Sequence, residues 1–145
     1  MLQPYEVALL MMFGFIVKHT VMDFFVQNRV PWMWMNKGKF MHPGGLAHSA
    51  THALGTWGLL APFAEYFELY QGGYFLWERL LWVTLVFEFV VHYFTDYFKM
   101  KICAWRGWKP ETSPHFWDML GLDQFIHLMT YWFIITTWVG IAVRT

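Results

Sequence analysis

Hydrophobic residues dominate four stretches of the chain, and each stretch is long enough for a helix that crosses a lipid bilayer. A helix rises ~1.5 Å per residue, so about 20 residues cover the ~30 Å of hydrocarbon. Within one transmembrane domain of residues 1–145, the predicted spans are residues 5–27, 46–63, 74–99 and 121–143. In the second span, Gly55 and Gly58 indicate close helix packing, and Pro62 marks the expected end. The pattern predicts an all-α integral membrane four-helix bundle.

Polar residues interrupt each apolar stretch at intervals of four. Residues at positions i and i+4 share one helix face, with side chains about 6 Å apart. The residues are His19 and Asp23; His48 and His52; Glu88, His92 and Asp96; and Asp123 and His127. They lie at the C-terminal ends of the first and third spans, and at the N-terminal ends of the second and fourth. Antiparallel spans therefore bring all of them to the same leaflet.

Imidazoles and carboxylates that gather at one depth predict a metal centre. Ionisable side chains inside a membrane normally face one another or a cavity, because contact with lipid is costly. The predicted metal ligands are His19, Asp23, His48, His52, His92, Asp96, Asp123 and His127. So many ligands exceed one tetrahedral site and suit one or two divalent ions. Histidine and carboxylate without thiolate favour zinc, manganese or iron(II).

Two further residues are predicted to act in catalysis beside the metal. Lys99 lies one turn beyond Asp96 and is placed to meet an anionic group. Glu88 lies nearer the bilayer midplane, where an orienting group or a proton relay is expected. Lys18 is expected to pair or to extend toward the interface rather than to react.

Composition strengthens the membrane interpretation. The chain is 57% hydrophobic and only 14% charged, with a formal net charge of +0. Without a basic field, binding of nucleic acid is not expected. Cys103 is the single cysteine, which excludes an intrachain disulfide framework. The N-terminus lacks the basic region and cleavage site of a signal peptide, so the first span is interpreted as a retained anchor.

Loop charges predict the orientation of the spans. Residues 28–45 contain Arg29, Lys37 and Lys39 and no acidic residue, and residues 99–119 contain several more lysines and arginines. Both loops are therefore expected on the cytoplasmic side of the membrane, with both termini outside. Tryptophans in these loops are expected at the interface: Trp32, Trp34, Trp105, Trp108 and Trp117.

The combined motifs resemble a known family. They read His19-x3-Asp23-Phe24-x2-Gln27, then Lys37 or Lys39 before His48-x3-His52, then His92-x3-Asp96-Tyr97-x-Lys99, then Asp123-Gln124-x2-His127-Leu128. Over nearly its whole length the chain is similar to small bacterial and phage membrane proteins grouped as domain of unknown function 3307. A looser similarity of pattern links it to small inner-membrane proteins regarded as metal-dependent hydrolases.

Three functions follow as hypotheses. The first is a membrane-embedded metal-dependent hydrolase that acts on a lipid-linked or anionic ester at the cytoplasmic leaflet. The second is a di-iron-type redox enzyme acting on acyl chains. The third is a metal-free channel, proton conduit or interaction protein. The lipid bilayer is the expected partner in each case, and a homo-oligomer is left open.

Overall fold

Helices make up nearly all of the described structure, and prolines mark where several of them begin. The computed structural model describes residues 2–144, apart from the side chain of Tyr74. The elements are α1 (Pro4–Thr20), a π-helical stretch (Val21–Val26), α2 (Gln27–Arg29), α3 (Pro31–Trp34), α4 (Pro43–Gln71), α5 (Tyr74–Arg106) and α6 (Pro114–Ala142). Proline begins α1, α3, α4 and α6, at a position where its missing N–H costs no helical hydrogen bond. The predicted all-α class is confirmed.

Glycines reverse the chain between the long helices. Gly72 and Gly73 join α4 to α5 with φ angles of 75° and 83°, and Gly107 follows α5 with a φ of 69°. This region of backbone conformation is strained for residues that carry a Cβ atom. The two-residue connection makes α4 and α5 antiparallel neighbours.

The four long helices form a bundle. Helix α1 packs against α4 and α6, and α5 packs against the same two helices from the opposite side. The C-terminal ends of α1 and α5 therefore lie with the N-terminal ends of α4 and α6. We call this end of the bundle, which contains the spaced histidines and carboxylates, the polar end.

The other end of the bundle holds an apolar core. Its buried residues are Val7, Met11, Phe15, Leu60, Ala64, Phe67, Trp77, Leu81, Tyr131, Ile134, Ile135 and Trp138. The rings of Phe67 and Trp77 stack with centroids 4.5 Å apart. The indole N–H of Trp138 donates to Thr84 Oγ1 at 3.0 Å, so the one polar atom of this buried ring is satisfied.

Several details of the second span differ from prediction. Pro62 lies inside α4, which continues to Gln71, so the expected end at Pro62 was wrong. Neighbouring helices can support a proline within a membrane helix. A Cβ atom on Gly55 would lie 2.9 Å from Lys18 Cγ, which confirms close packing there. At Gly58 no described atom lies within 4 Å of such a Cβ, so the packing prediction was wrong for that residue.

Two helical segments are long and apolar enough to cross a membrane. They are Pro4–Arg29 and Pro114–Ala142, the latter beginning earlier than the predicted start at residue 121. Among the described residues, α4 and α5 do not reach that apolarity, although both have sufficient length. Two of the four predicted spans therefore have the length and apolarity of a membrane span, and the four-span bundle stays a prediction.

Candidate metal centre

The spaced polar residues of all four long helices lie together at the polar end. None of them is more than 7% exposed to solvent. They are His19, Asp23, His48, His52, Glu88, His92, Asp96, Asp123 and His127. The periodicity of four puts each set on one helix face, and the antiparallel bundle turns these faces toward one another.

The π-helical stretch Val21–Val26 carries Asp23 into this cluster. Its hydrogen bonds reach back five residues instead of four, which widens the turn. Asp23 Oδ1 lies 3.2 Å from Nε2 of both His48 and His52, and Oδ2 lies 3.2 Å from Nε2 of His19. A single carboxylate thus links the end of α1 to the first turns of α4. Such π-helical turns are frequent at functional sites.

Four residues from three helical segments form the first candidate ligand group. Asp23, His48, His52 and His92 each direct one ligand atom inward, and these atoms all lie within 4.8 Å of one another. The Nε2 atoms of His48 and His92 are only 3.0 Å apart. Neutral imidazole and carboxylate are ordinary ligands of divalent transition metals.

The spacing within this group fits a common ion. Metal–ligand bonds of about 2.0–2.2 Å put neighbouring ligand atoms roughly 2.8–3.6 Å apart, across octahedral and tetrahedral arrangements. The separations from Asp23 Oδ1 to His48 and His52, both 3.2 Å, lie in this range. The 3.0 Å between His48 and His92 does so as well. Three of the six separations within the first group therefore match those around one divalent ion, and the group could hold such an ion.

A second candidate group overlaps the first. It consists of His92, Asp96 and His127. Asp96 Oδ2 lies 3.4 Å from His92 Nε2 and 3.3 Å from His48 Nε2, so the carboxylate reaches both groups. The overlap at His92 is compatible with one ion or with two adjacent ions.

The histidine rings pack in a way that disfavours positive charge. The rings of His52, His92 and His127 stack in a row, with centroid separations of 3.8 Å and 4.2 Å. Charging all three rings would place like charges in direct contact. In the described structure, Nδ1 has no hydrogen-bond partner in His48, His52 and His92. The hydrogen bonds at Nδ1 therefore do not fix which ring nitrogen of these histidines carries the proton. Neutral imidazole is the form that binds metal.

Two predicted ligands lie beside these groups. His19 Nδ1 is 2.9 Å from Tyr131 Oη, and its Nε2 is 2.9 Å from Gln124 Oε1. Asp123 Oδ2 accepts from Lys99 at 3.0 Å and from Gln124 at 3.1 Å. The structure thus brings six of the eight predicted ligands into the two groups. His19 and Asp123 lie outside both groups, and a ligand role stays a prediction for all eight residues.

Two lysines reach the aspartates of the cluster. Lys99, predicted from the sequence, lies 3.4 Å from Asp96 Oδ1 and 3.0 Å from Asp123 Oδ2. Lys37 was not predicted as a site residue, because it belongs to a loop and carries no helical periodicity, although the family motif includes Lys37 or Lys39. Its buried Nζ lies 2.8 Å from Asp96 Oδ2 and 3.9 Å from Asp23 Oδ1.

A buried polar chain continues from the cluster toward the apolar core. Lys18 Nζ pairs with Glu88 Oε1, as expected for a lysine in a span, and lies 3.3 Å from Tyr131 Oη. Tyr131 in turn contacts His19. Tyr131 was also missed, although it follows His127 by four residues and so extends the predicted face of α6.

The chain was compared with protein-family models, with curated proteins and with solved structures, and no match was found. Membership of the domain of unknown function 3307 family therefore stays a prediction. The geometry of the polar end is the basis for any assignment of function.

Proposed function

We propose that the protein is a multi-pass membrane hydrolase whose buried centre binds one or two divalent metal ions. Its substrate is a lipid-linked or otherwise anionic ester. The observation that carries the proposal is the convergence of ligand atoms from Asp23, His48, His52 and His92 to within 4.8 Å of one another. Burial of these polar groups costs free energy unless they hydrogen-bond to one another or bind a shared ion.

The surface of the bundle supports a location in the bilayer. Large apolar side chains face outward along the helices, including Leu9, Phe13, Val83 and Phe133, each more than half exposed. Soluble monomers rarely present so much contiguous apolar surface. Four tryptophans in helical segments at the polar end are also exposed, which suits an interfacial belt: Trp32, Trp34, Trp105 and Trp117.

The proposed orientation puts the polar end at the cytoplasmic leaflet of a bacterial inner membrane. The segments 28–45 and 99–119, which comprise the loops at this end and the adjoining helix ends, carry seven of the ten lysines and arginines of the chain. Positively charged loops remain preferentially in the cytoplasm. In this arrangement α4 and α5 cross the bilayer with their polar faces covered by α1 and α6, and both termini lie outside.

The residues of the chain have separate tasks in this proposal. A bound divalent ion would act as a Lewis acid and would activate a water molecule for attack on the ester. The ion would be held by the six residues of the two ligand groups: Asp23, His48, His52, His92, Asp96 and His127. Lys99 holds an anionic group of the substrate close to Asp96 and Asp123. Burial of the whole set excludes bulk water and strengthens these interactions.

The polar chain beneath the centre suits proton transfer. Glu88 pairs with Lys18, Lys18 reaches Tyr131, and the Tyr131 hydroxyl contacts His19. His19 Nε2 lies 3.2 Å from Asp23 Oδ2, so the chain ends on a candidate ligand. A proton released at the centre can be held along this path, which is the relay role proposed for Glu88.

Metal content of the detergent-purified protein tests the proposal. Elemental analysis of the wild type is expected to give one or two equivalents of a transition metal. His52→Ala is expected to lose metal together with hydrolysis of bis-p-nitrophenyl phosphate, a chromogenic diester. Lys99→Ala is expected to retain metal and to lose hydrolysis. His115→Ala is the matched control, because its side chain is 61% exposed at the start of α6.

Unchanged metal content in His52→Ala would show that the ligand assignment is wrong. Full hydrolysis in a protein without metal would exclude metal-dependent chemistry.

A metal-free polar network is the second candidate, since one observation favours it. The ammonium groups of Lys37 and Lys99 already contact Asp23, Asp96 and Asp123, so the carboxylates have counter-ions without a metal. This alternative predicts no stoichiometric metal in the wild type. It also predicts proton or ion flux when the protein is reconstituted in liposomes.

A further inference from the structure

Lys37 enters the polar end from the loop between α3 and α4, and this loop is anchored to α5. The backbone N–H of Met41 donates to Tyr93 Oη at 2.6 Å. A Cβ atom on Gly38 would lie 3.1 Å from Met100 Cβ, so the loop passes very close to α5. Lys37 itself is only 5% exposed, whereas Lys39 two residues later is exposed. The loop therefore directs one of its two lysines inward.

The two lysines at the centre differ in the carboxylate partners that they would keep when an ion binds. Lys99 contacts Asp96 and Asp123, and Asp123 belongs to neither candidate ligand group. Lys37 contacts Asp96 Oδ2 and Asp23 Oδ1, which both belong to those groups. A bound ion would compete with Lys37 for both of its carboxylate partners, while Lys99 would keep Asp123.

The net charge around the ligand groups also favours binding of an anion beside the ion. Around the ligand groups, three carboxylates (Asp23, Asp96 and Asp123) face two ammonium groups (Lys37 and Lys99), which sums to one negative charge with neutral histidines. One divalent ion changes this sum to one positive charge. An uncompensated charge in a buried site is costly, so the loaded centre favours a singly charged anion.

We propose that Lys37 binds a non-bridging oxygen of a phosphodiester at the metal-loaded centre. This inference rests on the proposed function and names its substrate class. Ammonium groups and divalent ions both bind phosphoryl oxygens, and a phosphodiester carries one negative charge. Lys37 lies in the loop at the polar end of the bundle, which a diester group from the cytoplasmic leaflet or from solution would reach first.

The test uses the full-length protein in detergent, loaded with cobalt(II), whose visible absorption reports changes around the ion. Dimethyl phosphate is titrated as the diester, and uncharged trimethyl phosphate is the ligand control. Lys37→Met is expected to keep its cobalt and to bind dimethyl phosphate about tenfold to a hundredfold more weakly than wild type. Lys37→Arg is expected to bind within a few-fold of wild type, and Lys39→Met like wild type.

The outcomes separate this inference from the proposed function. A wild-type protein that binds no metal overturns the proposed function and the inference together. Unchanged diester affinity in cobalt-loaded Lys37→Met overturns the inference alone, as does equal loss in Lys37→Met and Lys37→Arg. Mixed micelles containing phosphatidylglycerol form a second arm. Tighter binding there than with dimethyl phosphate assigns the diester to a lipid headgroup, and the reverse assigns it to a free ligand.

Discussion

The buried pair of Lys18 and Glu88 links α1 and α5 across the bundle, and the strength of this link can be measured. Lys18→Met leaves the Glu88 carboxylate, only 1% exposed, without its ammonium partner. Glu88→Leu leaves the Lys18 ammonium, 8% exposed, without its carboxylate partner. Removing one member of a buried ion pair costs about 3–5 kcal/mol, because the remaining charge is uncompensated.

The double variant is expected to behave differently from either single variant. Lys18→Met with Glu88→Leu removes both charges and leaves two apolar side chains of similar length. Replacing a whole buried pair by apolar residues is often nearly neutral. Lys18 also lies 3.3 Å from Tyr131 Oη, but Tyr131 retains its contact with His19. We therefore expect the double variant within about 2 kcal/mol of wild type, and a coupling energy of at least ~2 kcal/mol.

Reversible unfolding in mixed micelles of mild detergent and dodecyl sulfate, followed by circular dichroism, gives the free energies of unfolding. The exposed residues Lys101 and Glu65 supply matched controls, and Lys101→Met and Glu65→Leu are expected to change stability by less than about 0.5 kcal/mol. If the costs of the two single variants simply add in the double variant, Lys18 and Glu88 do not interact energetically and the reasoning fails.

Three further predictions concern packing and metal binding. Gly55→Ala is expected to lower the free energy of unfolding by about 1–3 kcal/mol, because its new methyl group would lie 2.9 Å from the Lys18 side chain. Gly58→Ala is expected to be neutral or slightly stabilising, and the same unfolding assay compares the two variants. Trp138→Phe is expected to cost about 1–3 kcal/mol through the lost bond to Thr84 and lost ring contacts, and no comparable loss is expected for exposed Trp132→Phe. Chelation of metal is expected to lower the free energy of unfolding by about 3 kcal/mol when the free ion had been at a hundred times its Kd; an unchanged melting temperature would count against a bound ion.

The spacing of polar residues was sufficient to predict which faces of the long helices meet. His48 with His52, and His92 with Asp96, lie on single faces because helical geometry is local and regular. The antiparallel order was predicted because successive spans cross a bilayer in alternating directions. These two features together predict a buried cluster from the sequence alone.

Features that depend on tertiary context were not predictable in the same way. Lys37 reaches the centre only because its loop is anchored to α5, and no sequence periodicity marks it. Pro62 stays within a helix because the surrounding bundle supports α4, so a local breaker signal was overridden. The contrast between Gly55 and Gly58 depends on which side of α4 faces Lys18, and composition alone does not reveal it.

The tight glycine connection between α4 and α5 has a consequence for biosynthesis. Neither helix reaches the apolarity of a stand-alone span, yet the two pack directly on each other. A translocon that released each segment singly would expose histidines and carboxylates to lipid. For a chain that crosses the bilayer four times, we expect α4 and α5 to leave the translocon together as a hairpin. A longer, flexible linker in place of Gly72 and Gly73 would then impair membrane integration before it affected the folded protein.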